Sequence, residues 1–338
     1  MDLSTNYLGL RLGSPLMPGA SPMVDDLGTV KRLEDAGAAA IVMHSLFEEQ
    51  ISGERLATIY QMEVYADSYA EALSYFPRNG DFALGPEQYL RQITRIKETV
   101  SVPVIGSLNG TTPGGWTRYA QLIEQAGADA LELNVYTVAT DPEESGADVE
   151  TRIVDLCRQV VQSVEIPVAV KLSPFFTSLA SFAYRLDAAE AEGLVLFNRF
   201  YQPDIDIELL SVQPTLRLSD SSELLLRLRW LATLSRQLSC DLCVSGGVHN
   251  ARDAIKSLMA GASAVQMVSA LLARGPEYLL TVRADMIRWM QDNEYSSLRQ
   301  LRGSMALDRC PDPRAFERAN YLRVLQSWRG AEQEQAGP

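Results

Sequence analysis

The chain has 338 residues, 46% of them hydrophobic, and a formal net charge of −13. That length allows one large α/β barrel or two domains, and the acidic balance argues against nucleic acid and anionic lipid as partners. No apolar stretch reaches the roughly 18–20 residues of a membrane helix, and the opening MDLSTNYLGLRLGSP lacks the basic start and long apolar run of a signal peptide, so a soluble, cytoplasmic protein is expected.

Short apolar, β-branched runs recur along the chain, with helical patterns between them. The first is SPLMP (14–18), followed by the amphipathic DLGTVKRLEDAG (26–37), which Gly37 stops. AAIVM (39–43) and VPVIGS (102–107) come next, then the helix GGWTRYAQLIEQAGAD (114–129), which ends in the same way at Gly127. ALELNV (130–135) leads to a polar loop, DPEESGADVE (141–150), and to a helix over 148–164 with Asp148 as its expected N-cap. IPVAVKL (166–172), GLVLFN (193–198) and LCVSGG (242–247) are three further runs. The helix DAIKSLMAGA (253–262) separates the last of these from AVQMV (264–268). Near-continuous hydrophobicity marks strands buried on both faces, the pattern of a parallel sheet.

Eight such strands with intervening helices predict a (β/α)8 TIM barrel, preferred over a doubly wound sheet because no G-x-G-x-x-G follows the first strand. Long βα connections, 44–85 after strand two and 199–223 after strand six, are expected on the C-terminal face, where such barrels build their sites. The tail beyond residue 296 reads as appended helix, giving one domain over 1–325 and a frayed end over 326–338.

Cys240 and Cys243 form a C-x-x-C without a second ligand pair, and Cys157 and Cys310 stand alone, so ordinary cysteines are expected. His44 and His249 are far apart and no H-E-x-x-H spacing exists, so no metal is expected. The strongest signal is VSGGVHNARDAIKSLMAGASAVQMVSALLARG (244–275): glycines at a strand end, a helix, another strand, then VSAL. Backbone N–H groups of the loops after strands seven and eight form the usual phosphate site of this barrel. Lys171 ends strand five after an apolar run; facing the helix layer its charge would be costly, so it is expected to face the mouth and an electron-rich ligand. Asn134 and Asn198 end strands four and six and suit a planar, amide-bearing ring. Arg78, Asn79, Asp81 and Arg199 read equally well as lid groups and as solvated loop residues.

These stretches together resemble the dihydroorotate dehydrogenase family, above all its soluble class 1 branch. The resemblance spans about residues 5–285 and is carried by SPLMPGASPM, LELNVYT, VAVKLSPFF, GLVLFN and SGGVHNARDAIKSLMAGASAVQMVSAL. It implies FMN as cofactor. By resemblance, Gly246, Gly247, Val268 and Ser269 hold its phosphate, and Lys171 lies beside the pyrimidine edge of the flavin. Ala20 and Ser21 pack by the ring system, with Ser107 and Asn109 nearby, while Asn134 and Asn198 contact substrate or flavin. The family's base falls three residues after the strand-four asparagine; here that position is Thr137, a hydroxyl as in the family's serine-bearing class. The chain departs from the family pattern at His44, where a lysine is usual, at Val138 and Ala139, and at FPRNGDF, which with Asn79 replaces the usual substrate-gripping segment. The flavin half therefore matches better than the orotate half. By resemblance the reaction oxidises dihydroorotate, or a related saturated cyclic carbonyl compound, in pyrimidine biosynthesis. A soluble electron acceptor such as fumarate and a homodimer are expected. Two alternatives are a flavin-free lyase or aldolase with Lys171 as Schiff base, and a non-catalytic FMN-binding paralogue.

Overall fold

A computed structural model describes residues 1–47, 86–109, 113–136, 138–200, 202–213, 216–316 and 320–327. The chain opens with an antiparallel hairpin of β1 (Thr5–Tyr7) and β2 (Leu10–Leu12). β3 (Leu16–Pro18), α1 (Leu27–Asp35), β4 (Ile41–Val42), β5 (Leu46–Phe47) and α2 (Pro86–Thr99) follow. The regular alternation then runs β6 (Val104–Asn109), α3 (Pro113–Gln125), β7 (Ala130–Asn134), α4 (Gly146–Val161), β8 (Val168–Leu172), α5 (Leu179–Asp187) and β9 (Gly193–Leu196). A second hairpin, β10 (Asp204–Asp206) with β11 (Ser211–Gln213), precedes α6 (Leu224–Leu234), β12 (Asp241–Ser245), α7 (Ala251–Ala260), β13 (Ala264–Met267) and α8 (Ser269–Arg274). α9 (Tyr278–Asp292), α10 (Leu298–Leu301) and α11 (Asn320–Gln326) are the last α-helices among the described residues.

The eight expected strands form one parallel sheet in the order β3-β13-β12-β9-β8-β7-β6-β4, with β5 added to β6. The ring is drawn together between β3 and β4 by Ala39, whose N–H donates to the Leu16 carbonyl at 2.9 Å. This is the TIM barrel that the sequence predicts. Because side chains alternate across each strand, two cores result. Val168, Val170, Leu131, Leu133 and Leu194 pack outward against the helices. Ala130, Ala169, Ala264, Val195 and Ile105 fill the lumen with Tyr7, Leu8 and Leu12 of the first hairpin. Small lumen residues make space for that hairpin; a Cβ on Gly193 would lie 2.6 Å from Leu8 Cδ2.

The AGA triplets end three helices by one mechanism. After α1, Gly37 in the left-handed region (φ +88°) donates to Glu34 O and Ala38 to Leu33 O. The pattern repeats at Gly127 and at Gly261, and each time satisfies two terminal carbonyls before the next strand. α4 corrects the sequence reading: it begins at Gly146, and Ser145 is the N-cap. Asp148 is the N3 partner of a capping box, its carboxylate accepting from Ser145 N–H at 3.3 Å. The two hairpins were not anticipated, because three-residue strands are too short to show alternation. Most of the 44–85 connection and the end of the tail, from 328 onward, lie outside the described residues.

Candidate active site

Two residues beyond the lumen alanines, the inward positions turn polar. Glu132, Lys171 and Gln266 stand on β7, β8 and β13, and each is buried. They close a ring: Lys171 Nζ donates to Glu132 Oε1 at 3.1 Å and to Gln266 Oε1 at 3.3 Å, and Gln266 Nε2 donates to Glu132 Oε2 at 2.6 Å. Burying a lysine is costly, and the facing carboxylate offsets much of that cost. An ammonium has three N–H donors. Among the described residues the ring uses two, which leaves one for a ligand.

The next inward layer is a chain of amides and hydroxyls. Asn198 Nδ2 donates to Asn134 Oδ1 at 2.7 Å, Asn134 Nδ2 to Ser45 Oγ at 3.2 Å, and Ser45 Oγ shares a hydrogen with Ser107 Oγ at 2.8 Å. Tyr89 locks Ser107 from behind: its OH donates to Ser107 O and accepts from Ser107 N, both at 2.8 Å. Each Asn therefore has a fixed amide orientation. Asn109, also buried, pairs in register with Asn134 at the end of β6.

His44 stands at the rim after β4, edge-on to Tyr89 with ring centroids 5.2 Å apart. Its Nδ1 lies 2.9 Å from Asp25 Oδ1 but without the alignment of a hydrogen bond. Burial lowers the pKa of His44 below the ordinary histidine value, against the opposing pull of the Asp25 carboxylate. The imidazole is thus held toward its neutral form, unlike a lysine at the same place.

The loops after β12 and β13 have the geometry of an anion cradle. Gly246 and Gly247 have φ of +87° and +76°, a conformation open chiefly to glycine. Among the described residues, the N–H groups of Gly246, Gly247, Val268 and Ser269 donate no backbone hydrogen bond. The buried Arg227 braces this turn from α6, with Nε on Ser245 O and Nη1 on Glu223 O. Ser219 donates through its N–H to Ser269 Oγ at 3.1 Å, and its hydroxyl lies 3.1 Å from His249 Nε2. Across the mouth, Ala20 packs on the lumen core, and the buried Ser21 Oγ has no hydrogen-bond partner among the described residues.

The structure brings Lys171, Asn134, Asn198, Ser107 and Asn109 to one polar floor. It sets Gly246, Gly247, Val268 and Ser269 in two adjacent loops, and His44 on the rim. Thr137 and Asn79 lie outside the described residues. The sequence reading missed Glu132, Gln266, Ser45, Tyr89 and Arg227. The signal for the first two was present: a charge or amide at an inward position of an otherwise apolar strand. A cavity of about 380 Å³ lies apart from this floor, between the loops after β7 and β8 and the start of α4, walled by Val135, Val149, Ile153, Ser173, Phe176 and Phe200.

A sequence profile described as dihydroorotate dehydrogenase matches residues 2–290. The chain belongs to the dihydroorotate dehydrogenase family. Membership makes it an oxidoreductase, in agreement with the barrel and the site. The chain is similar to "Dihydroorotate dehydrogenase B (NAD(+)), catalytic subunit" of Thermoplasma acidophilum, 29% identical over 310 residues, covering 89% of this chain and 98% of that protein. A protein of the same name from Methanocaldococcus jannaschii is 26% identical over 307 residues, 86% of this chain and 94% of the relative. No helix among the described residues is long and apolar enough to cross a membrane.

Proposed function

We propose that the chain binds FMN at the barrel mouth and oxidises dihydroorotate, or a related saturated cyclic carbonyl compound, to its unsaturated product. The observation that carries this reading is the Glu132–Lys171–Gln266 ring with its spare ammonium donor. Two further features among the described residues fit the cofactor: the undonated N–H groups of the Gly246–Gly247 and Val268–Ser269 loops for a phosphate, and the Ser21 hydroxyl on the opposite wall, without a partner there. When bound, FMN supplies the hydride acceptor.

The chain's own residues divide the remaining work. Lys171 offers its third N–H and its charge to the electron-rich edge of the ring. Asn134 and Asn198, locked by Ser45 and Ser107, present amides to substrate or flavin. Thr137, three residues beyond Asn134, takes the proton from the substrate carbon while its own hydroxyl proton passes to water. His44 and Asn79 complete the substrate side. Being held toward neutrality, His44 offers a hydrogen bond where a lysine would offer a cation, so recognition of a substrate carboxylate shifts to other groups.

An anaerobic visible spectrum tests the reading. A yellow protein whose flavin band bleaches on adding dihydroorotate supports it. A colourless protein, or a yellow one that no saturated cyclic carbonyl compound bleaches, overturns it. Thr137→Ala then slows bleaching without changing the oxidised spectrum if Thr137 is the base.

The acceptor is a separate question. The sequence reading favours fumarate, whereas the relatives are named as catalytic subunits of an NAD(+)-linked type. Reoxidation of the reduced chain by fumarate distinguishes direct transfer from transfer through a second subunit. The homodimer expected by family habit has a suitable surface: Ile207, Leu209, Leu210 and Val212 around the second hairpin are exposed at 76%, 73%, 87% and 68%. Light scattering on the purified chain reads the oligomeric state directly.

A further inference from the structure

A second polar cavity, of about 640 Å³, lies at the opposite end of the barrel from the mouth. Its wall is built by the first hairpin, the start of β12, the C-terminal ends of α6 and α7, and the segment around α10. Five arginines line it: Arg11, Arg236, Arg299, Arg302 and Arg309, against the two carboxylates of Asp2 and Asp241. In a chain of net charge −13 this is a marked local inversion.

Structural duties account for some of these arginines and not for others. Helix C-termini attract cations, but here their carbonyls are already taken by backbone donors of the tail. Leu307 N–H donates to Ala232 O at 2.9 Å, Gly303 to Leu258 O at 3.0 Å and Met305 to Met259 O at 2.8 Å. Arg236 pairs with Asp308 at 3.2 Å, and Arg302 donates to Ser263 Oγ at 3.0 Å. Arg11, Arg299 and Arg309 have neither an ion pair nor a side-chain hydrogen bond among the described residues. Asp241 accepts from Leu8 N at 3.0 Å and Ser263 Oγ at 2.6 Å; Asp2 accepts from Ser4 N at 2.8 Å and is also drawn to the Arg11 charge, without an ion pair between them. A buried hydroxyl without a hydrogen-bond partner among the described residues, Ser235 Oγ, also lines the cavity. It is seated there because position 261 is glycine; a Cβ would lie 2.2 Å from Ser235 Cβ.

We propose that this cavity is a binding site for a multiply charged phosphate compound, separate from the flavin site. Guanidinium forks match phosphate oxygens in geometry and charge. Several arginines facing one space call for several anionic groups. No aromatic side chain lines the cavity, so recognition falls on the phosphates and not on a stacked base.

Calorimetric titration of the full chain with sodium tripolyphosphate at constant ionic strength tests the proposal. Saturable binding near one equivalent is expected. Arg299→Ala and Arg309→Ala should each weaken it by about tenfold or more, and Arg299→Lys by less. Arg158→Ala, which removes an exposed arginine outside the cavity, should leave it unchanged. If one alanine variant fails to fold, the other still reads the site. No saturable heat, equal binding of sulfate at the same ionic strength, or undiminished binding by the Arg299→Ala/Arg309→Ala variant overturns the proposal. Release of FMN by tripolyphosphate also overturns it, since the anion would then occupy the flavin loops. The titration gives the same reading in a chain that holds no flavin, so this proposal and the proposed function fail separately.

Discussion

The two ends of the barrel lumen are built on the same strands and obey opposite rules. On β7 the inward positions run Ala130, Glu132, Asn134; on β6, Ile105, Ser107, Asn109; on β8, Ala169 then Lys171; on β13, Ala264 then Gln266. The lower layer is apolar and is plugged by Tyr7 and Leu8. The upper layer buries a lysine, a carboxylate and several amides. A step of two residues along a strand is about 6.6 Å, so the change from packing to chemistry is abrupt. Burial is equally deep at both ends. What differs is whether the buried group stabilises the fold or is held at a cost for use, and substitutions at the two ends should separate those roles.

The largest effect is expected at the upper end. Glu132→Leu leaves the Lys171 ammonium buried without its carboxylate, which should cost about 3–5 kcal/mol in chemical denaturation. Pairing it with Lys171→Met removes both charges and should recover most of that loss, while FMN retention and turnover stay abolished. A double variant that stays as unstable as Glu132→Leu would show that the ring is there for stability.

Leu8→Ala makes the contrast at the lower end. It empties lumen volume under the site and should cost about 2–5 kcal/mol, yet the flavin spectrum and the rate per folded molecule should match the parent. Gly193→Ala approaches the same contact from the other side. Its new methyl meets Leu8 and should cost about 1–3 kcal/mol by overpacking. Combined with Leu8→Ala, the penalty at position 193 should largely disappear, because the two sites share one space. Additive losses would mean that the close approach at Gly193 is not what limits the residue there.

The apolar end was the more legible in sequence. Eight runs, their order and the glycine stops at Gly37 and Gly127 follow from local rules, because strand burial and helix termination depend on near neighbours. The glycine turn after β12 was legible too, since Gly246 and Gly247 declare themselves by composition. The polar floor was only half visible. Lys171, Asn134 and Asn198 stand at strand ends, where a polar residue interrupts an apolar pattern. Glu132 and Gln266 are 134 residues apart and meet only because the barrel closes. Ser45 and Tyr89 gain their roles from contacts to β6 and β7 that no local pattern encodes. The first hairpin was invisible for the same reason, as its apolar side chains match a lumen and not a neighbour in sequence.

The smallest effect separates the two ends by pH. Burial depresses the His44 pKa at the mouth. Between its folded value and the ordinary value of about 6.5 the unfolded chain binds more protons, so stability rises with pH across that window and is lost as pH falls through it. Near the lower end, Glu34 is also depressed, from 4.5 to about 2. Burial opposes that shift, but Lys31 and the Ser101 hydroxyl and N–H outweigh it. Its contribution is fully present above 4.5 and is lost as pH falls from 4.5 toward 2. Denaturation midpoints measured from pH 8 to pH 3 should therefore show two steps. His44→Gln should flatten the upper step alone, and Glu34→Gln the lower step alone. If His44→Gln left the slope near pH 6 unchanged, the imidazole would not be held neutral at the mouth, and its proposed role as an uncharged hydrogen-bonding group toward substrate would fall with it.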